Sequence, residues 1–349
     1  MSVGGGPRVD VPEGRPDVEL PARAAGSVPE GAPRRAATEP APAGPLGTVV
    51  AGLALQNPIV LASGTAGYGH ELAGVVDLDR LGGLVTKAVS VEPRKGNAAP
   101  RVAEFPGGMI NAVGLANPGL DAVRRDQLPR LAATVRRARV LVNVVGFAVD
   151  EFARVVEGLD DAPAVEGFEL NVSCPNVKAG GLEFGADPRA LAAVVRGARA
   201  ATLRPLFVKL SPTLPRIADV AACAVDAGAD AITLVNTLPG LVVDVARRRP
   251  ALGFGSGGAS GAGLLPAGVL ATWRVSRAVR APILGLGGVR RADDALQYLL
   301  AGASLVGMGT ASMVDPRAPE RVVRDLGRWC EREGVRSLAD VVGTLAWPA

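Results

Sequence analysis

Three cysteines, one histidine, four lysines and a scatter of asparagines must carry whatever chemistry this chain performs. Cys174, Cys223 and Cys330 form no CxxC pair and no cluster, so the sequence offers no iron–sulfur or structural zinc site of its own and no metal ligand set. A disulfide framework is equally unexpected, which fits a reducing, cytoplasmic setting. His70 is the single histidine, and that excludes HExxH zinc sites and Ser–His–Asp triads. What remains is a cofactor assisted by Lys, Cys, Ser, Asn and carboxylates.

Two of these types stand in suggestive places. Only four of the 38 basic residues are lysines (Lys87, Lys95, Lys178, Lys209). A compact ammonium fits where a wide guanidinium does not, for instance beside a flavin ring; a plain salt bridge is the alternative for each. The string 169–176, ELNVSCPN, places Cys174 before a proline that holds the chain extended, with Asn171 and Asn176 on either side. Asparagine donates and accepts, which suits a ring bearing amides and a carboxylate. A second such set lies in Asn111, Val113, Gly114, Leu115 and Asn117. Cys223, inside a helical stretch, and Cys330 read as inert.

These residues need elements to hold them. Eight apolar runs, at 57–64, 82–89, 140–146, 167–174, 205–211, 231–237, 282–289 and 305–311, read as strands buried on both faces. Helical stretches fall between them, at 187–202, 215–227, 264–280 and 292–302. Eight β-then-α units predict a (β/α)8 barrel, with a doubly wound sheet as the alternative. Barrel sites lie at the C-terminal strand ends. Those ends carry Ala62-Ser63-Gly64, Lys87, Asn143, Asn171 with Ser173 and Cys174, Lys209, Asn236 with Thr237, Gly287-Gly288 and Gly309-Thr310. Glycines ending strands seven and eight predict a phosphate-bearing cofactor. The stretch 255–263, GSGGASGAG, is either a third source of amides or a flexible linker.

Residues 46–56 read as a hairpin sealing the barrel bottom, and 90–120 as a long active-site insertion after strand two. Residues 1–45 hold nine prolines and no aromatic residue, so they read as a disordered tail ahead of a barrel spanning 46–349. Nothing in that tail resembles a signal peptide or a membrane-docking helix pair. A net charge of +4 without a basic run interleaved with aromatics argues against nucleic-acid binding. No stretch is apolar for long enough to span a membrane.

From about residue 46 onward the chain resembles the class 1 dihydroorotate dehydrogenases. The motifs that carry the resemblance are NPIVLASG, TKAV, GNAAPRVAE, MINAVGLANPG, ELNVSCPNV, VKLSP, VNT, SGAGLLP, GLGGV and GMGTA, all in order. The resemblance implies FMN and the oxidation of dihydroorotate to orotate in pyrimidine (UMP) biosynthesis. Cys174 matches the base that takes the C5 proton while hydride leaves C6 for flavin N5. Lys87 matches the lysine touching both flavin and substrate. Asn111, Val113, Gly114 and Leu115 match the carboxylate clamp, and Asn171, Asn176, Asn236 and Thr237 the other substrate contacts. Ala62, Ser63, Gly64, Lys87, Ala88, Asn143, Asn171, Lys209, Gly261, Gly287, Gly288, Gly309 and Thr310 match flavin-holding positions.

NVKAGGLEFGADP and RVAE resemble class 1B, which passes electrons to NAD through a partner subunit bearing FAD and a 2Fe-2S cluster. Class 1A, which uses fumarate, is the runner-up; a homodimer is implied in either case. A dehydrogenase for another reduced pyrimidine and a non-catalytic flavin-binding paralogue are the competing readings. Leu265 departs from the class 1B pattern, which usually has lysine there, and the N-terminal stretch is longer than the family needs.

Overall fold

Short aliphatic runs form the eight strands that organise the chain, and the computed structural model describes them within residues 42–173 and 184–348. They are β1 (Ile59–Leu61), β2 (Gly83–Val85), β3 (Arg139–Val144), β4 (Gly167–Asn171), β5 (Leu206–Leu210), β6 (Ala231–Leu234), β7 (Ile283–Leu286) and β8 (Leu305–Met308). All pair in parallel with their sequence neighbours, and β8 returns to β1 through Val306 opposite Ile59, closing the barrel. Every strand falls inside a range expected from the sequence except β3, which begins one residue earlier, at Arg139. Each is shorter than its apolar run, because the backbone turns away from its neighbours where glycine or a polar residue arrives.

Helices cover the outside. Val149–Leu159 follows β3, Pro188–Ala200 follows β4, Ile217–Asp226 follows β5, Leu265–Ser276 follows β6, Ala292–Leu300 follows β7 and Ala318–Glu333 follows the last strand. The first of these buries Phe152, Val155, Val156 and Leu159, one stripe at helical spacing. Pro188–Ala200 starts where Asp187 accepts from Arg189 N–H and Pro188 occupies the first turn. After β1 the chain makes only the 3-10 turns His70–Leu72 and Leu78–Arg80.

The hairpin Thr48–Val50 and Leu53–Leu55 closes the bottom as expected. Val50 and Leu55 pack with Val60, Val85, Leu141, Phe207, Ala231, Leu284 and Leu305 to make the barrel floor. Each large aliphatic side chain buried there is worth about 1.5–3 kcal/mol relative to exposure. Ahead of it, the Pro45 carbonyl accepts from Leu338 N–H and Leu46 packs on the core, so the body already includes Pro45. No helix among the described residues is long and apolar enough to cross a membrane.

Above the barrel lies a separate four-stranded antiparallel sheet, in the order Leu238–Gly240, Gly257–Gly261, Gly108–Asn111, Val102–Phe105. It joins the insertion after β2 to the connection after β6. The stretch 255–263 is therefore no flexible linker. Its glycines form a strand because the sheet neighbours come too close for side chains: a Cβ on Gly257 would sit 2.4 Å from the Asn111 carbonyl oxygen.

Candidate active site

Alternation along the strands converts an apolar floor into a polar layer. Two residues beyond the floor positions Val60, Val85, Leu141, Phe207 and Ala231 stand Ala62, Lys87, Asn143, Lys209 and Thr233, on the same inward face. On β4 Phe168 and Leu170 pack outward with the helices, which leaves Glu169 and Asn171 inward. A two-residue period thus delivers five of the residues expected at a site, Ala62, Lys87, Asn143, Asn171 and Lys209, together with Glu169 and Thr233, which were not foreseen.

The layer holds a buried charge pair. Glu169 is 1% exposed and Lys209 5% exposed, with Nζ 3.7 Å from Oε1. The same Oε1 accepts from Asn143 Nδ2 at 2.7 Å. An ion pair there must overcome the desolvation of both groups, so its presence inside a barrel marks a place where charge is needed. Lys209 accordingly meets the salt-bridge reading of it, and it does so in the layer of the candidate site. Asn143 Oδ1 and Thr233 Oγ1 are buried and have no hydrogen-bond partner among the described residues. Buried polar atoms normally find one.

A second network links the ends of β4 and β6. Asn236 donates to Ser173 Oγ at 2.7 Å and to Asn171 Oδ1 at 3.4 Å, and Ser173 Oγ donates to Asn171 Oδ1 at 3.1 Å. Asn236 Oδ1 accepts from Thr237 N–H at 2.8 Å. The chain passes from this network into Cys174. Cys174 and Asn176 lie outside the described residues. Of the other cysteines, Cys223 donates to the Pro188 carbonyl at 3.4 Å and Cys330 is buried. Burial pushes both thiols up from their ordinary range, which suits neither to act as a base.

The predicted clamp comes from the upper sheet. Asn111 sits opposite Gly258 and donates to its carbonyl at 3.2 Å. A Cβ on Gly258 would lie 2.0 Å from Thr237 Oγ1, so Asn111 and Thr237 meet over one glycine. Val113, Gly114 and Leu115 follow, with Leu115 at φ 58°, a left-handed conformation costly for a bulky side chain. Asn117 holds it: its amide donates to the Leu115 carbonyl and Ser90 Oγ, both at 2.8 Å, while its Oδ1 accepts from Gly119 and Ser90 N–H. The sequence placed Asn117 in the asparagine-rich set without a role. Its role is to position the loop.

The loop after β1 is lashed to the end of β2. Ser63 Oγ donates to the Thr86 carbonyl at 2.9 Å, Lys87 N–H to Gly67 at 2.7 Å and the buried Tyr68 hydroxyl to Ala88 at 3.3 Å. Ser63, Gly64, Lys87 and Ala88 therefore share one rim. Tyr68 was not foreseen. Next around the same rim, beyond β8, Gly287 and Gly288 follow β7, the latter at φ 79° with a would-be Cβ 2.6 Å from Leu265 N. Tyr298, also unforeseen, donates to the Gly287 carbonyl at 2.8 Å. Gly309 and Thr310 follow β8, and Thr310 Oγ1 bonds Ser260 Oγ at 2.8 Å beside Gly261. Leu265 packs partly buried against the core, where an ammonium would have to leave the contact.

A family model described as dihydroorotate dehydrogenase matches residues 45–329. The chain belongs to the dihydroorotate dehydrogenase family. A relative from Desulforudis audaxviator is 49% identical over 294 residues, covering 84% of this chain and 95% of its own length. One from Pelobacter propionicus is 46% identical over 296 residues, covering 85% and 97%. Both are named dihydroorotate dehydrogenase B (NAD(+)), catalytic subunit. A third, from Solibacter usitatus, is 47% identical over 300 residues, covering 86% and 98%, and is named a putative dihydroorotate dehydrogenase A (fumarate).

In this member of the dihydroorotate dehydrogenase family, the residues singled out from the sequence lie on barrel strand ends and on the upper sheet. Among the described residues no group of three His, Cys, Asp or Glu side chains is placed to hold a metal ion.

Proposed function

We propose that this chain oxidises (S)-dihydroorotate to orotate with FMN, and passes the electrons to NAD through a partner subunit carrying FAD and a 2Fe-2S cluster. The observation that carries the reading is the polar layer above the barrel floor, where Asn143, Glu169 and Lys209 meet over an apolar base. The residues present fit FMN: the orphaned Asn143 Oδ1 awaits a donor, and the glycines after β7 and β8 keep backbone clear where a phosphate approaches. Ala62, Ser63, Gly64, Lys87, Ala88, Asn143, Asn171, Lys209, Gly261, Gly287, Gly288, Gly309 and Thr310 would hold it.

FMN, when bound, supplies the hydride acceptor. The chain's own residues do the rest. Asn111 and the backbone of Val113, Gly114 and Leu115 bind the substrate carboxylate. Asn171, Asn176, Asn236 and Thr237 hold the amide edges of the ring, and Lys87 adds positive charge beside it. Cys174 accepts the C5 proton, as a thiol with an ordinary pKa of about 8.5 can do once partly ionised. Turnover therefore rises as pH approaches that value.

The names of the Desulforudis audaxviator and Pelobacter propionicus relatives support the NAD-linked route, whereas the Solibacter usitatus relative's name keeps fumarate as the second reading. The working form on this reading is a cytoplasmic homodimer bound to the electron-transfer subunit. Anaerobic addition of dihydroorotate to the flavin-loaded protein should bleach absorbance near about 450 nm, and dihydrouracil should not. Absence of bleaching with dihydroorotate defeats the reading. Purification from the native host should bring down a stoichiometric subunit with FAD and iron–sulfur absorbance; a lone chain reoxidised by fumarate would favour the second route.

A further inference from the structure

One carboxylate of the polar layer is not among the residues to which the chemistry has been assigned. Glu169 is almost fully buried on β4, between Asn143 of β3 and Lys209 of β5. An ionised carboxylate only accepts hydrogen bonds. Its Oε1 accepts a hydrogen bond from Asn143 Nδ2 at 2.7 Å and lies 3.7 Å from the Lys209 ammonium. The amide of Asn143 can therefore sit only one way round. With its NH2 committed to Glu169, its carbonyl oxygen is left buried and without a partner among the described residues. Leaving such an acceptor unmet is costly, so a ligand at this place must bring a donor.

We propose that Glu169 is a positioning residue that fixes the hydrogen-bonding polarity of Asn143, so that the site selects a ligand presenting an N–H group. The inference rests on FMN being that ligand, as proposed above, because oxidised isoalloxazine has one ring N–H, at N3. Glu169 also keeps the Lys209 ammonium compensated in a place closed to solvent. Substituting a neutral apolar residue frees the Asn143 amide to rotate and present either end.

The test uses apoprotein titrated with FMN and with N3-methyl FMN, followed by flavin fluorescence. Wild type should bind the methylated flavin weaker by about tenfold or more, the scale of an unmet buried acceptor. In Glu169→Leu that discrimination should fall to about threefold or less, because a rotated amide tolerates the methyl compound. Glu169→Gln should restore it, since a Gln oxygen in the Oε1 place still accepts from Asn143. Should Glu169→Leu fail to fold, Glu169→Ala serves in its place, with water filling the vacated volume. A merely structural role would weaken both flavins in parallel and leave their ratio at the wild-type value, and that result overturns the proposal. An unchanged ratio at unchanged affinity overturns it equally. Wild type that binds neither flavin sinks the FMN reading itself, a failure distinguishable from a wild-type preference that Glu169 does not control.

Discussion

Asn236 donates to the Ser173 hydroxyl at 2.7 Å, joining the end of β6 to the end of β4 across the intervening strand. Ser173 is the residue before Cys174, so the bond fixes where the chain leaves the barrel toward the proposed base. Asn236→Ala removes this tie and the proposed substrate contact together. We expect KM for dihydroorotate to rise by about tenfold or more, with kcat falling as well. Ser173→Ala, which spares the substrate contact, should lower kcat with a smaller change in KM. Steady-state kinetics on both variants checks the split.

Gly288 leaves no room for a side chain. Its φ is 79° and a Cβ would lie 2.6 Å from the backbone nitrogen of Leu265. Gly288→Ala should therefore push the loop after β7 away from the helix Leu265–Ser276. Loss of about 1–3 kcal/mol of stability is expected from the backbone strain, together with weaker FMN retention. Urea unfolding and flavin content after gel filtration measure the two effects.

Tyr298 is fully buried and its hydroxyl donates to the Gly287 carbonyl. Burial pushes its phenol far above the ordinary range, with Asp294 adding to the effect, so it stays a donor at every working pH. Tyr298→Phe keeps the packing and orphans that carbonyl, at a cost of about 1–3 kcal/mol. A lower midpoint in urea with an unchanged slope would bear this out. An unchanged midpoint would mean that water replaces the hydroxyl.

Asp79 gives the molecule an acid-sensitive joint far from the site. Its carboxylate accepts from the N–H groups of Arg136, Arg137 and Ala138, at 2.7–2.9 Å. Burial alone would push it up, but the three backbone donors and the Arg137 charge outweigh that and hold it below the usual carboxylate range. A depressed folded pKa stabilises above the unfolded value, about 4, and that contribution disappears as pH falls through the folded one. Asp79→Asn should lower the melting temperature at pH 7, and the gap from wild type should close toward pH 3. Thermal melts across that range decide it.

Much of the site was legible because strand ends are legible. Lys87, Asn143, Asn171, Lys209 and Asn236 could be named from apolar runs that turn polar, and the eight strands appear where those runs are. Glu169 stood in plain view inside ELNVSCPN, yet its meaning depends on neighbours 26 residues before and 40 after it. Tyr68 and Tyr298 were missed as site supports for the same reason, since each bonds a carbonyl 20 or 11 residues away along the chain. The strand Gly257–Gly261 was hidden because glycine has little strand propensity of its own.

The chain's local chemistry determined its barrel, its floor and the residue types at its mouth, because burial on two faces and a two-residue period are properties of adjacent residues. Which way the Asn143 amide points, and what shares the Glu169 oxygen, is decided only when β3, β4 and β5 lie side by side. Hydrogen-bond polarity belongs to pairs, and the partners in this barrel come from different strands.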